Sequence, residues 1–169
     1  METLVAIHTR RSVREFQNKP VPENLAKELL AAAMQAPSAG NARPWQFIVL
    51  TDRDLLARIP AIHPYATMAT QAALAVLICG DLKLEAYPGN WTSDCAAATQ
   101  NLLLAAHDRG LGAVWTGIHP DQQRIAAFQQ LLGLPEHVVP LSLVPVGYPL
   151  APPLPEERYE AVKVHYNHW

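Results

Sequence analysis

The chain has 169 residues, half of them hydrophobic and 17% charged, a length and balance that suit one domain with a real core. Its formal net charge of -2 provides no global field for nucleic acid or an acidic membrane surface, and no basic stripe with interleaved aromatics appears. No apolar run is long enough to span a bilayer and Met1–Val5 lacks the basic start of a secretory leader, so the sequence predicts a soluble, cytoplasmic protein.

In chain order, residues 2–9 suit one short helix. It leads into Thr9-Arg10-Arg11-Ser12-Val13-Arg14-Glu15-Phe16, where three arginines and a serine fall within five residues. A guanidinium is a planar fork of donors that matches a phosphate or carboxylate in bidentate fashion, and serine adds one compact donor. An anion site and a solvated face of surface ion pairs are both open readings of such a cluster. Pro22-Glu23 opens a second helix over about 22–35, with Leu25, Leu29, Leu30 and Ala33 on one face. Pro37-Ser38-Ala39-Gly40-Asn41 ends it as a loop.

Trp45–Leu50 reads as a strand, and Thr51 and Asp52 can cap a helix over about 53–59. The apolar run from Ala72 to Cys79 predicts a central strand buried on both faces. Residues 81–90 form a loop around Tyr87-Pro88-Gly89. From about 92 to 109 runs an alanine- and leucine-rich helix that is nearly apolar all round, the pattern of a buried central helix. Gly110-Leu111-Gly112 ends it, and Ala113-Val114-Trp115 starts a third strand. A helix over 121–132, closed by Gly133 and Pro135, precedes a fourth strand over 138–146 and the turn Gly147-Tyr148-Pro149. The tail from Ala151 is rich in proline and charge and cannot build its own core. Its Leu154, Val162, Val164, Tyr166 and Trp169 call for a surface, either the chain's own body or a partner subunit.

Cys79 and Cys95 do not form a CxxC pair and sit in apolar surroundings, which predicts buried thiols rather than a disulfide. The seven histidines are scattered and no Cys/His set has zinc spacing, so no metal site is expected.

Four separated segments together resemble the nitroreductase family of flavin enzymes. They are RRSVREF at 10–16, APSAGNARPWQF at 36–47, the stretch from Asp94 through NLLLAAHDRGLGAVWTG to Gly117, and VGYP with a later arginine at 146–158. Their order and spacing cover nearly the whole chain, which looks most like the short members of the family. The resemblance implies an α+β fold: a mostly antiparallel sheet wrapped by helices, one FMN-binding domain over 1–169, and a C-terminal extension over 151–169 exchanged in a homodimer. It implies FMN as cofactor, NADH or NADPH as electron donor, hydride passing through flavin N5 in a ping-pong cycle, and a flat small-molecule acceptor such as a nitroaromatic or quinone. No side chain is implied as catalytic.

Residue by residue, the resemblance gives Arg10 and Ser12 to the FMN phosphate, with Arg11 beside them. It places Arg14 near the pyrimidine edge of the flavin, where a cation favours the reduced state. For Arg11 and Arg14, ion pairing with Glu15 stays open. Pro37, Ser38, Ala39 and Asn41 match a loop that contacts the flavin largely from the other subunit. Trp115, Thr116 and Gly117 match the place where backbone N–H groups point at flavin N5 and O4. Arg158 matches an arginine that completes the phosphate grip. Four departures stand out. Arg43 replaces a common glutamine, Thr116 an acidic residue, and Glu156 a second basic residue; the 81–91 segment is too short for the helical lid of larger relatives. The last leaves a pocket shaped by Tyr65, Tyr87 or Trp91. Asp94 and Asn101 on the long helix suit either the site or a structural hydrogen bond. Two rivals from other classes stay open: an FMN-binding storage or sensing module without NAD(P)H turnover, and a flavin-free interaction protein on the same fold.

Overall fold

The computed structural model describes residues 1–152 and 154–169. Its helices are α1 (Thr3–Thr9), α2 (Glu23–Ala33), α3 (Arg53–Ile62), α4 (Trp91–Asp108) and α5 (Gln122–Leu132). Its strands are β1 (Trp45–Leu50), β2 (Leu74–Asp81), β3 (Gly112–Ala113), β4 (Thr116–Gly117) and β5 (Val138–Gly147). They form one antiparallel sheet in the order β1-β2-β5-β3, with β4 also paired to β5. This is the α+β architecture expected.

β2 explains its continuous apolar run. Leu74, Val76 and Ile78 face the core shared with α2 and α4, whereas Ala75, Leu77 and Cys79 face the core shared with α3 and α5. Helices cover both faces, so period-2 alternation has no polar side to show. Leu77 and Ile78 are fully buried, and each such side chain contributes roughly 1.5–3 kcal/mol. α4 lies in that interior with Cys95, Ala98, Leu102 and Ala106 fully buried. Cys79 and Cys95 are free thiols. Burial pushes both pKa values up, that of Cys95 to about 12, so neither is poised as a thiolate.

Several elements differ from expectation. The single strand over Ala113–Trp115 is split into β3 and β4. In the register set by Ala113 opposite Val146 and Thr116 opposite Leu143, Val114 falls opposite Pro145. Proline has no N–H to donate, so the ladder lapses there to one long bond from Val114 N–H to the Pro145 carbonyl, 3.4 Å. α3 runs past Pro60 to Ile62. Its start is capped by Asp52, which accepts from the Asp54 and Leu55 N–H groups at 2.8 and 3.2 Å, and Leu56 and Ile59 are fully buried. A 3-10 segment over Pro64–Thr70 follows, where no element was expected.

Residues 10–16 cross the sheet edge outside any helix or strand. Ser12 forms a parallel bridge with Ala113 and Phe16 an antiparallel one with Pro149. Gly112 and Gly147 are paired across β3 and β5. A Cβ on Gly112 would lie 2.6–2.9 Å from Val13 side-chain atoms, and one on Gly147 3.0–3.2 Å from Phe16. The two glycines therefore open a bare patch that receives Val13 and Phe16.

Candidate functional site

α1 ends at Arg10, whose backbone is extended and whose N–H still donates to Ala6 O at 3.0 Å. The Ser12–Ala113 bridge and the bond from Val13 N–H to Ala113 O, 3.0 Å, then fix the course of the next residues. The Arg10 guanidinium is half-buried. Its pKa is lowered first by that burial and then by the like charges of Arg11 and Arg158. Among the described residues Arg10 has no carboxylate partner. Arg11 donates from Nη1 to the carbonyls of Arg10 (2.7 Å) and His8 (3.2 Å), and from Nη2 to the carbonyl of Glu156 (2.5 Å); its buried Nε has no partner. Arg158 comes in from the tail, and Glu156 Oε2 accepts from its Nε at 3.0 Å and Nη2 at 2.9 Å. His107, beside the Thr9 hydroxyl at 2.7 Å, has its pKa lowered by burial and then by Arg10. Three guanidiniums from two distant parts of the chain thus lie near one another, and Ser12 is exposed in the same segment.

Farther along, a pocket of about 460 Å³ is lined by Arg14, His63, Tyr65, Trp115, Thr116, Gly117 and Arg124, among others. Thr116 is buried and its hydroxyl donates to Leu143 O at 2.8 Å. Gly117 is exposed, and a Cβ placed there would meet nothing within 4 Å. Trp115 is half-buried and packs against the core of α2 and α4. Arg14 is exposed and makes no ion pair among the described residues. Arg124 from α5 pairs through Nε with Asp121 Oδ2 at 3.4 Å, donates from Nη1 to Gly117 O at 3.3 Å, and lies 5.3 Å from the centre of the Tyr65 ring. Beneath it, His63 is 1% exposed with neither ring nitrogen hydrogen-bonded. Burial, and then Arg124, hold its pKa down, against opposing pulls from the Thr116 and Gly117 backbone and from Asp121. His63, Asp121 and Arg124 belong to no segment that carried the resemblance. The only sequence signal for the last two is their i, i+3 spacing at a helix start.

Pro37, Ser38, Ala39 and Asn41 lie elsewhere in the same chain. Ala39 N–H donates to Asp94 Oδ1 at 2.9 Å, and Arg43 N–H to the Ser38 hydroxyl at 2.9 Å. Gly40, Asn41 and Arg43 take positive φ, and a Cβ on Gly40 would meet Ala86 at 2.8 Å and Tyr87 at 3.3 Å. Asp94 is 5% exposed and its Oδ2 has no partner. Asn101 serves a structural bond, donating to Ala32 O at 3.2 Å. Among the described residues, the bonds of this loop run within itself and to α4, not to the arginines of 10–14.

The tail does not cover the chain's own core. Leu154, Val162, Tyr166 and Trp169 are 85%, 79%, 81% and 102% exposed. α1 likewise shows Leu4, Val5 and Ile7 to the outside. No helix among the described residues is long and apolar enough to cross a membrane.

Comparison with known proteins adds the following. The family model described as Nitroreductase family matches residues 7–77 and 64–148. A Methanothermobacter thermautotrophicus protein named "Putative NADH dehydrogenase/NAD(P)H nitroreductase" is 46% identical over 169 residues, covering 100% of this chain and 88% of its own. A solved structure of the same name from Parabacteroides distasonis is 41% identical with a TM-score of 0.96, covering 100% of this chain and 99% of its own. A Desulfovibrio desulfuricans structure solved in complex with FMN is 28% identical with a TM-score of 0.84, covering 100% of this chain and 98% of its own.

Proposed function

This chain belongs to the nitroreductase family, and from that premise we propose that it is an FMN-dependent NAD(P)H oxidoreductase acting on a flat small molecule such as a nitroaromatic or quinone. Bound FMN would supply the two-electron chemistry that links NADH or NADPH to the acceptor in a ping-pong cycle.

The observation that carries this reading is the convergence of Arg10, Arg11 and Arg158, with no carboxylate on Arg10 among the described residues. Like charges packed at a half-buried position are unfavourable alone and favourable around a dianion, and a phosphate monoester is such a dianion. The residues therefore fit a phosphorylated cofactor. Arg10 and Ser12 hold the phosphate, Arg11 braces the segment, and Arg158 closes over it. Arg14 offers a cation to the pyrimidine edge of the ring. Trp115, Thr116 and Gly117 form the wall beside N5, where Gly117 leaves the backbone open to a flat ligand. The Thr116 hydroxyl is occupied by Leu143 O, which leaves its side chain unavailable for that role.

Pro37, Ser38, Ala39 and Asn41 complete the site of a second subunit. The exposed apolar residues of α1 and of the tail supply the matching contact, so residues 1–169 act as one domain in a homodimer with the 151–169 extension exchanged. Its setting is the cytoplasm.

An absorption spectrum of the purified protein, loaded with FMN, desalted and then given NADH or NADPH without oxygen, tests the reading. Retained flavin bands that bleach support it. Retained bands that do not bleach favour a storage or sensing module. Loss of flavin on desalting overturns it.

A further inference from the structure

Resting on the flavin reading above, we propose that Arg124 is the second cation of the ring pocket and the positioning residue of the Gly117 peptide, so that two guanidiniums, Arg14 and Arg124, set the relative affinity for reduced and oxidised FMN.

The two arginines line one pocket yet are held differently. Arg14 is exposed and unpaired among the described residues, so solvent and salt screen it. Arg124 is about one quarter exposed and is braced on three sides: by Asp121, by the Gly117 carbonyl and by the Tyr65 ring. An arginine carries about 2 kcal/mol of rotamer entropy, and here much of it is already spent before any ligand arrives. Its charge also acts through a medium less polar than water, where a given separation counts for more.

The neighbouring acid does not cancel it. Asp121 caps α5, its Oδ1 accepting from Gln123 N–H at 3.0 Å and Arg124 N–H at 3.1 Å, so its negative charge is shared with a helix N-terminus. His63 adds no negative charge, and burial and then Arg124 hold its pKa below the ordinary value. With Arg14 and Arg124 against Asp121 alone, the pocket is net positive where a ring that gains electrons becomes anionic. The bond from Nη1 to Gly117 O gives Arg124 its second role. With the Thr116 hydroxyl bonded to Leu143 O, the peptide wall of the pocket is anchored on both sides.

The test uses the full-length, FMN-loaded protein. The dissociation constant of oxidised FMN is read by fluorescence, and the midpoint potential by anaerobic equilibration with a reference dye. R124Q is expected to weaken reduced FMN relative to oxidised FMN by about tenfold, which lowers the potential by about 30 mV for a two-electron couple. R124K, which keeps the charge but not the planar fork, is expected to recover most of that shift. D121N keeps a good helix cap and is expected to move the potential the other way. It provides a readout if R124Q fails to fold. A wild-type potential in both R124Q and D121N, with a shift in R14Q, overturns the inference and leaves the flavin reading standing. Wild-type protein that retains no FMN overturns both.

Discussion

Glu156 holds Arg158 in a two-pronged ion pair, one carboxylate oxygen accepting from Nε at 3.0 Å and from Nη2 at 2.9 Å. The guanidinium assigned to the phosphate is therefore already engaged by an acid two residues away. E156Q is expected to release it and tighten FMN binding. An exposed pair of this kind is worth about 0.2–1 kcal/mol, so the gain is at most about fivefold. It should shrink as salt rises, in fluorescence titrations at two ionic strengths.

The two phosphate arginines differ in burial, which orders their substitution effects. R10A removes a half-buried charge-assisted donor, worth about 1.5–3 kcal/mol, and is expected to weaken FMN by roughly 10- to 100-fold. R158A, on an exposed tail, should cost less. Equal FMN affinity in wild type and R10A, measured by titration of the apoprotein, would contradict the site assignment.

Gly112 lets Val13 approach the sheet. G112A places a methyl group within 2.6–2.9 Å of that side chain, an overpacking that costs about 1–3 kcal/mol. Urea denaturation should show the loss, and the double variant V13A/G112A should lose less than the sum of the two single variants.

His63 is buried with its pKa held below the ordinary value. At pH values under about 6.5 the unfolded chain takes up a proton that the folded chain refuses. Stability therefore falls as the pH drops through that range and is unaffected by this group above it. H63F should flatten the decline between pH 7 and 5 in denaturation curves. An unchanged slope would show that other groups, such as His107, dominate.

The tail prediction concerns assembly. Deleting residues after Pro149 removes Arg158 and the exposed apolar residues Leu154, Val162, Tyr166 and Trp169. The truncated chain is expected to lose FMN and to elute as monomer or aggregate by light scattering. A flavin-loaded dimer after the deletion would sink the exchanged-tail arrangement.

Much of this was legible in the chain itself because it rests on local pattern. β2 announced its two buried faces by an unbroken apolar run, and α5 its ends by Asp121 and Gly133. Arg10 to Arg14 announced themselves by charge density. What was hidden depends on partners far away in sequence. Nothing near Val114 says that Pro145 will stand opposite and interrupt the ladder, because that is a property of register. The sequence predicts this helix only to about residue 59, yet α3 runs past Pro60 to Ile62, with Leu56 and Ile59 fully buried. His63 and Arg124 meet only because the segment after α3 and the start of α5 converge on Gly117, and no spacing rule links positions sixty residues apart.

The paired glycines at 112 and 147 have one more consequence. Val13 and Phe16 drop into two adjoining vacancies in the backbone, so the residues between Arg10 and Phe16 are counted off by shape. One residue inserted or removed there would seat a charged side chain in a notch sized for an apolar one, and would turn the cations away from their targets. This tract should accept many substitutions at its solvent-facing positions and no change of length.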